Sequence, residues 1–226
     1  MAGKGRAPGA KVSVLSEVYE RLKSSVMMGE FEPGQKIRLD ETARRFDVSH
    51  MPVRESLNRL VVLGALEKPP NRSVRVPDFS ARRLDELMTI RIALEGRAVR
   101  DAAERASSAD IALLTGLRAE MDRVLRAPEL DVKRYLRMNY HFHFALYRVA
   151  ENGQLLDMIE AAWLRYGPML GLLGSGRTLE GGHRDHLEMI EGLREGDADR
   201  VALALEKDLA TAAQAIRHGY DKAIAA

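Results

Sequence analysis

The chain has 226 residues, no cysteine, and 35 Lys and Arg against 33 Asp and Glu, for a net charge of +2. This length allows one or two domains with a sizeable core, and the missing cysteines exclude a disulfide framework and thiolate metal sites. No apolar run reaches the ~18 residues that span a bilayer, so the expectation is a cytoplasmic protein with no membrane partner.

Residues 1–11 are basic and rich in Gly and Pro, which predicts a disordered tail. From Val12 to Met28 the spacing predicts an amphipathic helix with Val14, Val18, Leu22 and Val26 inward. Met28 to Gly34 is turn chemistry, and Asp40 is placed to cap a short helix from Glu41 to Phe46. After Asp47-Val48, Ser49 is placed to cap a further helix that accepts Pro52 in its first turn. In that helix Val53, Leu57, Leu60 and Val61 form one stripe, while His50, Arg54 and Asn58 form another. A polar, cationic face at the N-terminal end of such a helix is what reading the major groove requires. Leu66 to Lys68 and Ser73 to Val76 read as two strands around a turn, a wing with Arg72 at its tip and Arg75 on its second strand.

The run GEFEPGQKIRLDETARRFDVSHMPVRESLNRLVVLGALEK, residues 29–68, resembles the winged helix of the GntR superfamily of bacterial regulators. The resemblance covers roughly residues 12–77 and implies a DNA-binding unit. Candidate DNA contacts are Arg38, Arg44, Ser49, His50, Met51, Arg54 and Asn58, with Asn71, Arg72 and Ser73 on the wing. Ser73 stands where the family usually has a wing glycine. Arg44-Arg45 reads as a solvated face or a phosphate contact. The charge balance fits this division: residues 1–78 hold 14 Lys/Arg against 10 Asp/Glu, a net of +4, and the rest hold 21 against 23, a net of −2.

Val76-Pro77-Asp78 reads as a short linker into a second unit, residues 78–226. Ala, Leu, Arg and Glu are abundant and aromatics few, which favours helices over sheets. Breaks at Ser107-Ser108, Pro128, Asn152-Gly153, Gly174-Ser175-Gly176 and Gly196-Asp197 divide the unit into six helices. They run over about 80–106, 109–126, 131–150, 153–174, 179–195 and 198–224, and Pro168 should kink or end the fourth. The predicted fold is mostly α, a winged helix-turn-helix followed by an antiparallel bundle. The second unit resembles the FadR-type C-terminal (FCD) domain and its VanR-like six-helix branch, on Arg91-Ile92-Ala93-Leu94-Glu95, Phe142-His143 with Leu146 and Asn152, and His186 with Gly196-Asp197.

Polar side chains on faces that should be buried mark a candidate site. Asn139 and His143 lie one turn apart, His186 shares a stripe with Ile190, and Asp208 shares one with Leu205. A buried carboxylate needs a cation, a metal or strong donors. The resemblance implies a divalent metal held by Asp, His, His and His; here Asn139 and Asp208 replace the outer two. Two nitrogen and two oxygen donors suit zinc, nickel or manganese. The alternative is two core histidines bonded to Asp208 and Asn139 with no ion. Arg91 falls on the inward stripe of its helix, where it can clamp the carboxylate of an effector or pair with Glu95. His183 is a candidate for the pocket rim, and Trp163 is either a core aromatic or a pocket wall.

The leading reading is a homodimeric, ligand-responsive repressor, not an enzyme, that binds a pseudo-palindromic operator and a small carboxylate. The competing readings are a helical metal-dependent hydrolase and an architectural DNA-binding protein whose bundle is purely structural.

Overall fold

The computed structural model of the chain describes residues 13–70, 72–173 and 176–225. The expected basic tail, Asn71 at the wing tip and the Gly174-Ser175 break lie outside them. Among the described residues the chain forms nine α-helices and one 3-10 helix.

Three helices build the head. In α1 (Val14–Met27), capped by the Ser13 hydroxyl, Val18, Leu22 and Val26 are buried as expected. Val14 is 56 % exposed, because the first turn runs out past the packed part of the helix. α2 (Leu39–Phe46) starts two residues earlier than the sequence suggests. Arg38 takes the N-cap position, so Asp40 sits inside the first turn and favours the helix through its dipole instead of capping it. Asp47 closes α2 with φ at 53°, a left-handed conformation that an Asp side chain tolerates. The chain thereby turns into α3 (His50–Val62). Ser49 is the N-cap residue there, but its hydroxyl makes no capping bond. α3 buries Val53, Leu57 and Leu60 against α1.

The wing pairs through isolated bridges, with one more segment than the sequence indicates. Glu67 and Arg75 exchange backbone hydrogen bonds of 2.9 Å in both directions. On the other side, Ile37 N–H donates to Val74 and Val76 N–H donates to Gln35, each at 2.9 Å. Arg75 is therefore bridged on both sides, by Glu67 and by Lys36. Three residues are too short for an alternating pattern, so this pairing left no mark in the sequence.

The bundle comprises α4 (Ala81–Arg105), α5 (Ser108–Leu125), α6 (Val132–Arg148), α7 (Gly153–Tyr166), α8 (Gly176–Glu195) and α9 (Ala198–Ala225). Their starts follow local chemistry: Ser80, Ser107, Asp131 and Asn152 each accept a first-turn amide, and Ser107 with Asp110 forms a capping box. α7 stops at Tyr166, and Pro168 lies at the start of the 3-10 helix Gly167–Leu172, as the proline predicts.

That 3-10 segment joins bundle to head. A Cβ on Gly167 would run into the Val26 carbonyl and sit 2.7 Å from Met27 Cα. A Cβ on Gly29 would lie 2.9 Å from Leu170 Cβ. The two backbones touch because both positions lack a side chain. Lys23 Nζ, 2.5 Å from Glu160, and the Arg83 guanidinium, donating to Gly64 O at 2.9 Å, hold the junction from its sides.

Candidate DNA interface and candidate metal centre

The arginines of the head fall into two groups. Arg45 pairs with Glu30 at 2.8 Å, Arg59 lies 3.9 Å over the Tyr19 ring, and Arg75 is held between Glu67 at 2.6 Å and Asp78 at 3.0 Å. Each of these is partnered within the head, although Arg45 still faces solvent. Arg38, Arg44, Arg54 and Arg72 are exposed. Arg38 is 3.0 Å from Glu41 and Arg44 Nε donates to the Asp40 carbonyl at 3.4 Å, both local contacts in solvent. Arg54 and Arg72 make no ion pair among the described residues. His50 Nε2 stands 3.2 Å from Asp40 Oδ1, Met51 is 56 % exposed, and Ser49, Asn58 and Ser73 also face solvent. His50, Arg54 and Asn58 thus share one open face of α3, backed by Val53, Leu57 and the buried Ser56, whose hydroxyl donates to Pro52 O at 2.7 Å.

Inside the bundle, α6, α8 and α9 bring His143, His186 and Asp208 together. His143 Nε2 is 3.3 Å from His186 Nε2 and 3.3 Å from Asp208 Oδ2; His186 Nε2 is 3.5 Å from Asp208 Oδ1. An ion bound tetrahedrally at ~2.0–2.1 Å has ligand atoms ~3.3–3.4 Å apart, so the spacing fits a zinc-sized ion. Gly182 makes room for this cluster, since a Cβ there would sit 2.7 Å from Asp208 Oδ1. Burial drives the His186 ring down to about 3, against the pull of Asp208, so it is neutral and a competent ligand. Burial pushes the Asp208 carboxyl upward, but the positive charge around it, that of Arg91 included, holds it below the usual carboxylate range. Asn139, the fourth expected ligand, is half-buried and lines the same cavity as His143 and Asp208.

The cavity has a volume of about 40 Å³ and is walled by Tyr135, Trp163, Tyr166, Leu170 and Leu173 among others. Arg91 also lines it, at 1 % exposure. Its Nε and Nη2 donate to the two Glu95 oxygens at 2.6 and 3.1 Å, and its guanidinium lies 4.0 Å over Tyr166 and 4.5 Å over Trp163. Nη1 has no hydrogen-bond partner among the described residues. Arg91 therefore does pair with Glu95, and keeps one buried donor unspent. Trp163 is both core and wall, and its Nε1 donates to Glu95 Oε1 at 3.0 Å.

His183 does not line the cavity. It turns toward α5, where Nε2 is 3.4 Å from Asp122 Oδ1 without a well-directed hydrogen bond. Residues 183 and 186 are three apart on α8, and that offset is enough to aim one at α6 and α9 and the other at α5. Sequence reasoning missed Tyr147, whose hydroxyl contacts both Glu95 and His143 Nδ1. Its position four residues after His143, on the same helical face, was the available signal.

Residues 15–76 match the bacterial regulatory proteins of the gntR family, and residues 86–218 match the FCD domain. The HTH-type transcriptional regulator McbR of Escherichia coli (strain K12) is 34 % identical over 174 residues, 76 % of either chain. The Nta operon transcriptional regulator of Aminobacter aminovorans is 31 % identical, covering 76 % of this chain and 80 % of its own. A probable D-xylose utilization operon transcriptional repressor of Paenarthrobacter nicotinovorans is 28 % identical over 96 % of both. The solved structure of E. coli McbR/YncC superposes with a TM-score of 0.84 at 28 % identity, covering 94 % of this chain and 99 % of the other. These relatives are regulators, which removes the hydrolase reading. The chain belongs to the GntR family of transcription regulators, with a winged helix-turn-helix head and an FCD effector-binding domain.

Proposed function

We propose that this regulator is a homodimeric repressor that responds to a small carboxylate, bound beside one divalent metal ion in the bundle. The observation that carries the reading is Leu170. It lines the cavity, and its Cβ abuts Gly29 of the head. A guest that shifts the 3-10 helix would therefore shift the seat of the DNA-reading unit.

His143, His186 and Asp208 would hold the ion, with Asn139 beside them. Bound there, the metal supplies a Lewis-acidic centre for an anion's oxygen. One carboxylate against a dication leaves the site positive, and Arg91 Nη1 adds a buried donor, so an anion satisfies both. A water needs ~10–15 Å³ of such space, so the cavity admits about three waters or a guest of a few heavy atoms. On the head, Arg54 with His50 and Met51 would read base edges, and Arg38, Arg44 and Arg72 would meet the backbone. A single winged helix spans few base pairs, and two-fold symmetry doubles the contact at fixed spacing, which suits a pseudo-palindrome. Repression follows the relative named as a repressor.

The test is a thermal-shift assay with zinc alone, then zinc with two- to five-carbon carboxylates, followed by operator binding by fluorescence anisotropy. We expect zinc to raise Tm, and one acid to raise it further and change operator affinity ~5–150-fold. Unchanged stability with zinc and with EDTA would overturn the metal. Stabilisation by acids without any change in operator affinity would overturn the response.

A further inference from the structure

We infer that Tyr147 is a positioning residue for the metal site: with Glu95 it sets the His143 ring so that a bare Nε2 faces His186 and Asp208. The inference rests on the metal reading above and adds the device that prepares one ligand.

The phenol of Tyr147 has a single proton, and it is donated to Glu95 Oε2. The 3.1 Å contact between Tyr147 OH and His143 Nδ1 is then made by an Nδ1–H donating to the phenol oxygen. A neutral imidazole with its proton on Nδ1 has its lone pair on Nε2. That nitrogen is the atom 3.3 Å from both Asp208 Oδ2 and His186 Nε2. A lone pair aimed at a carboxylate oxygen is repulsive until a cation comes between them.

Glu95 cannot swing away to release the phenol. Arg91 grips both of its oxygens and Trp163 Nε1 donates to one of them. Arg91, Glu95, His143, Tyr147 and Trp163 are each no more than 2 % exposed, so bulk solvent does not reach the chain of contacts. The result is one buried chain, Arg91–Glu95–Tyr147–His143. It anchors the spare guanidinium N–H and the metal-facing imidazole to the same carboxylate. Ligand histidines held through their second nitrogen in this way lose ~10–100-fold in metal affinity when that partner is removed.

The test compares wild type with Tyr147→Phe, which keeps the ring and deletes the hydroxyl. Zinc affinity is measured by competition with a chromogenic chelator, and the His143 tautomer by ¹⁵N NMR of metal-free protein at pH 8. We expect zinc binding ~10–100-fold weaker in the variant, with a single Nδ1–H ring in wild type and a tautomer mixture in Tyr147→Phe. Loosened packing alone would lower Tm without moving the ring proton. Equal zinc affinity in the two proteins overturns the assignment. If wild type takes up no zinc, the metal reading fails by itself and the tautomer decides here. An Nε2–H ring in wild type, or the same ring form in both proteins, overturns the role of Tyr147; Nδ1–H in wild type alone upholds it.

Discussion

Arg54 stands in solvent on the head with no ion-pair partner among the described residues, whereas Arg91 in the bundle is 1 % exposed and locked to Glu95. The histidines divide in the same way: His50 lies at the surface beside Asp40, and His143 and His186 sit inside facing Asp208. A surface cation costs the fold nothing and waits for a partner from outside. A buried one must be matched at once by its own chain, and what remains unmatched among the described residues, Arg91 Nη1 included, is where the anion proposed above would fit. The head advertises its ligand by what it exposes, and the bundle by what it leaves unsatisfied.

Breaking the buried pair should have the largest effect. Arg91→Ala strands the Glu95 carboxylate among aromatic rings and should lose about 3–5 kcal/mol of stability in urea unfolding. A loss under about 1 kcal/mol would mean that water reaches Glu95 and that the two regions differ less than described. Next comes the junction. Gly167→Ala should cost about 1–3 kcal/mol by forcing the 3-10 helix off α1. Gly116→Ala in α5, where a Cβ meets nothing within 4 Å, should be neutral or stabilising by up to about 1 kcal/mol. Thermal melts that rank the two glycines the other way round would refute the close contact.

On the head, Arg54→Ala should leave Tm unchanged while removing about 1–3 kcal/mol of discrimination between a selected operator and scrambled DNA. Equal discrimination by wild type and variant would take Arg54 off the reading face. The smallest effect is expected from Arg72→Ala, with uniformly weaker binding and a salt dependence shallower by about one phosphate contact. A sequence-selective loss would instead place the wing on base edges.

Much of this was legible in the sequence because local chemistry decides it. Ser107 with Asp110, Asn152 and Pro168 mark helix ends that the structure keeps, and the α3 stripe of Val53, Leu57 and Leu60 faces inward as its spacing requires. His143, His186 and Asp208 were visible as polar residues on apolar faces. What the sequence hid depends on long-range partners. Gln35–Ile37 is held in its pairing only because Val74–Val76 lies beside it. Glu95 adds Tyr147 of α6 and Trp163 of α7 to the Arg91 pairing that the spacing along α4 already offered, and no spacing along one helix encodes those two. His183 turns away from His186 because α5 offers Asp122 on that side.

The seam at Gly167 has a further consequence for how the chain unfolds. Buried side chains of the head, such as Val26 and Met27, and of the bundle, such as Leu170 and Trp163, belong to one continuous apolar cluster. Neither half can open without exposing surface on the other, so their stabilities are shared. The chain should melt in a single calorimetric transition whose van't Hoff and calorimetric enthalpies agree. A head severed at the linker would present Met27 and Gly29 to water where Leu170 had covered them, and should melt well below the intact protein.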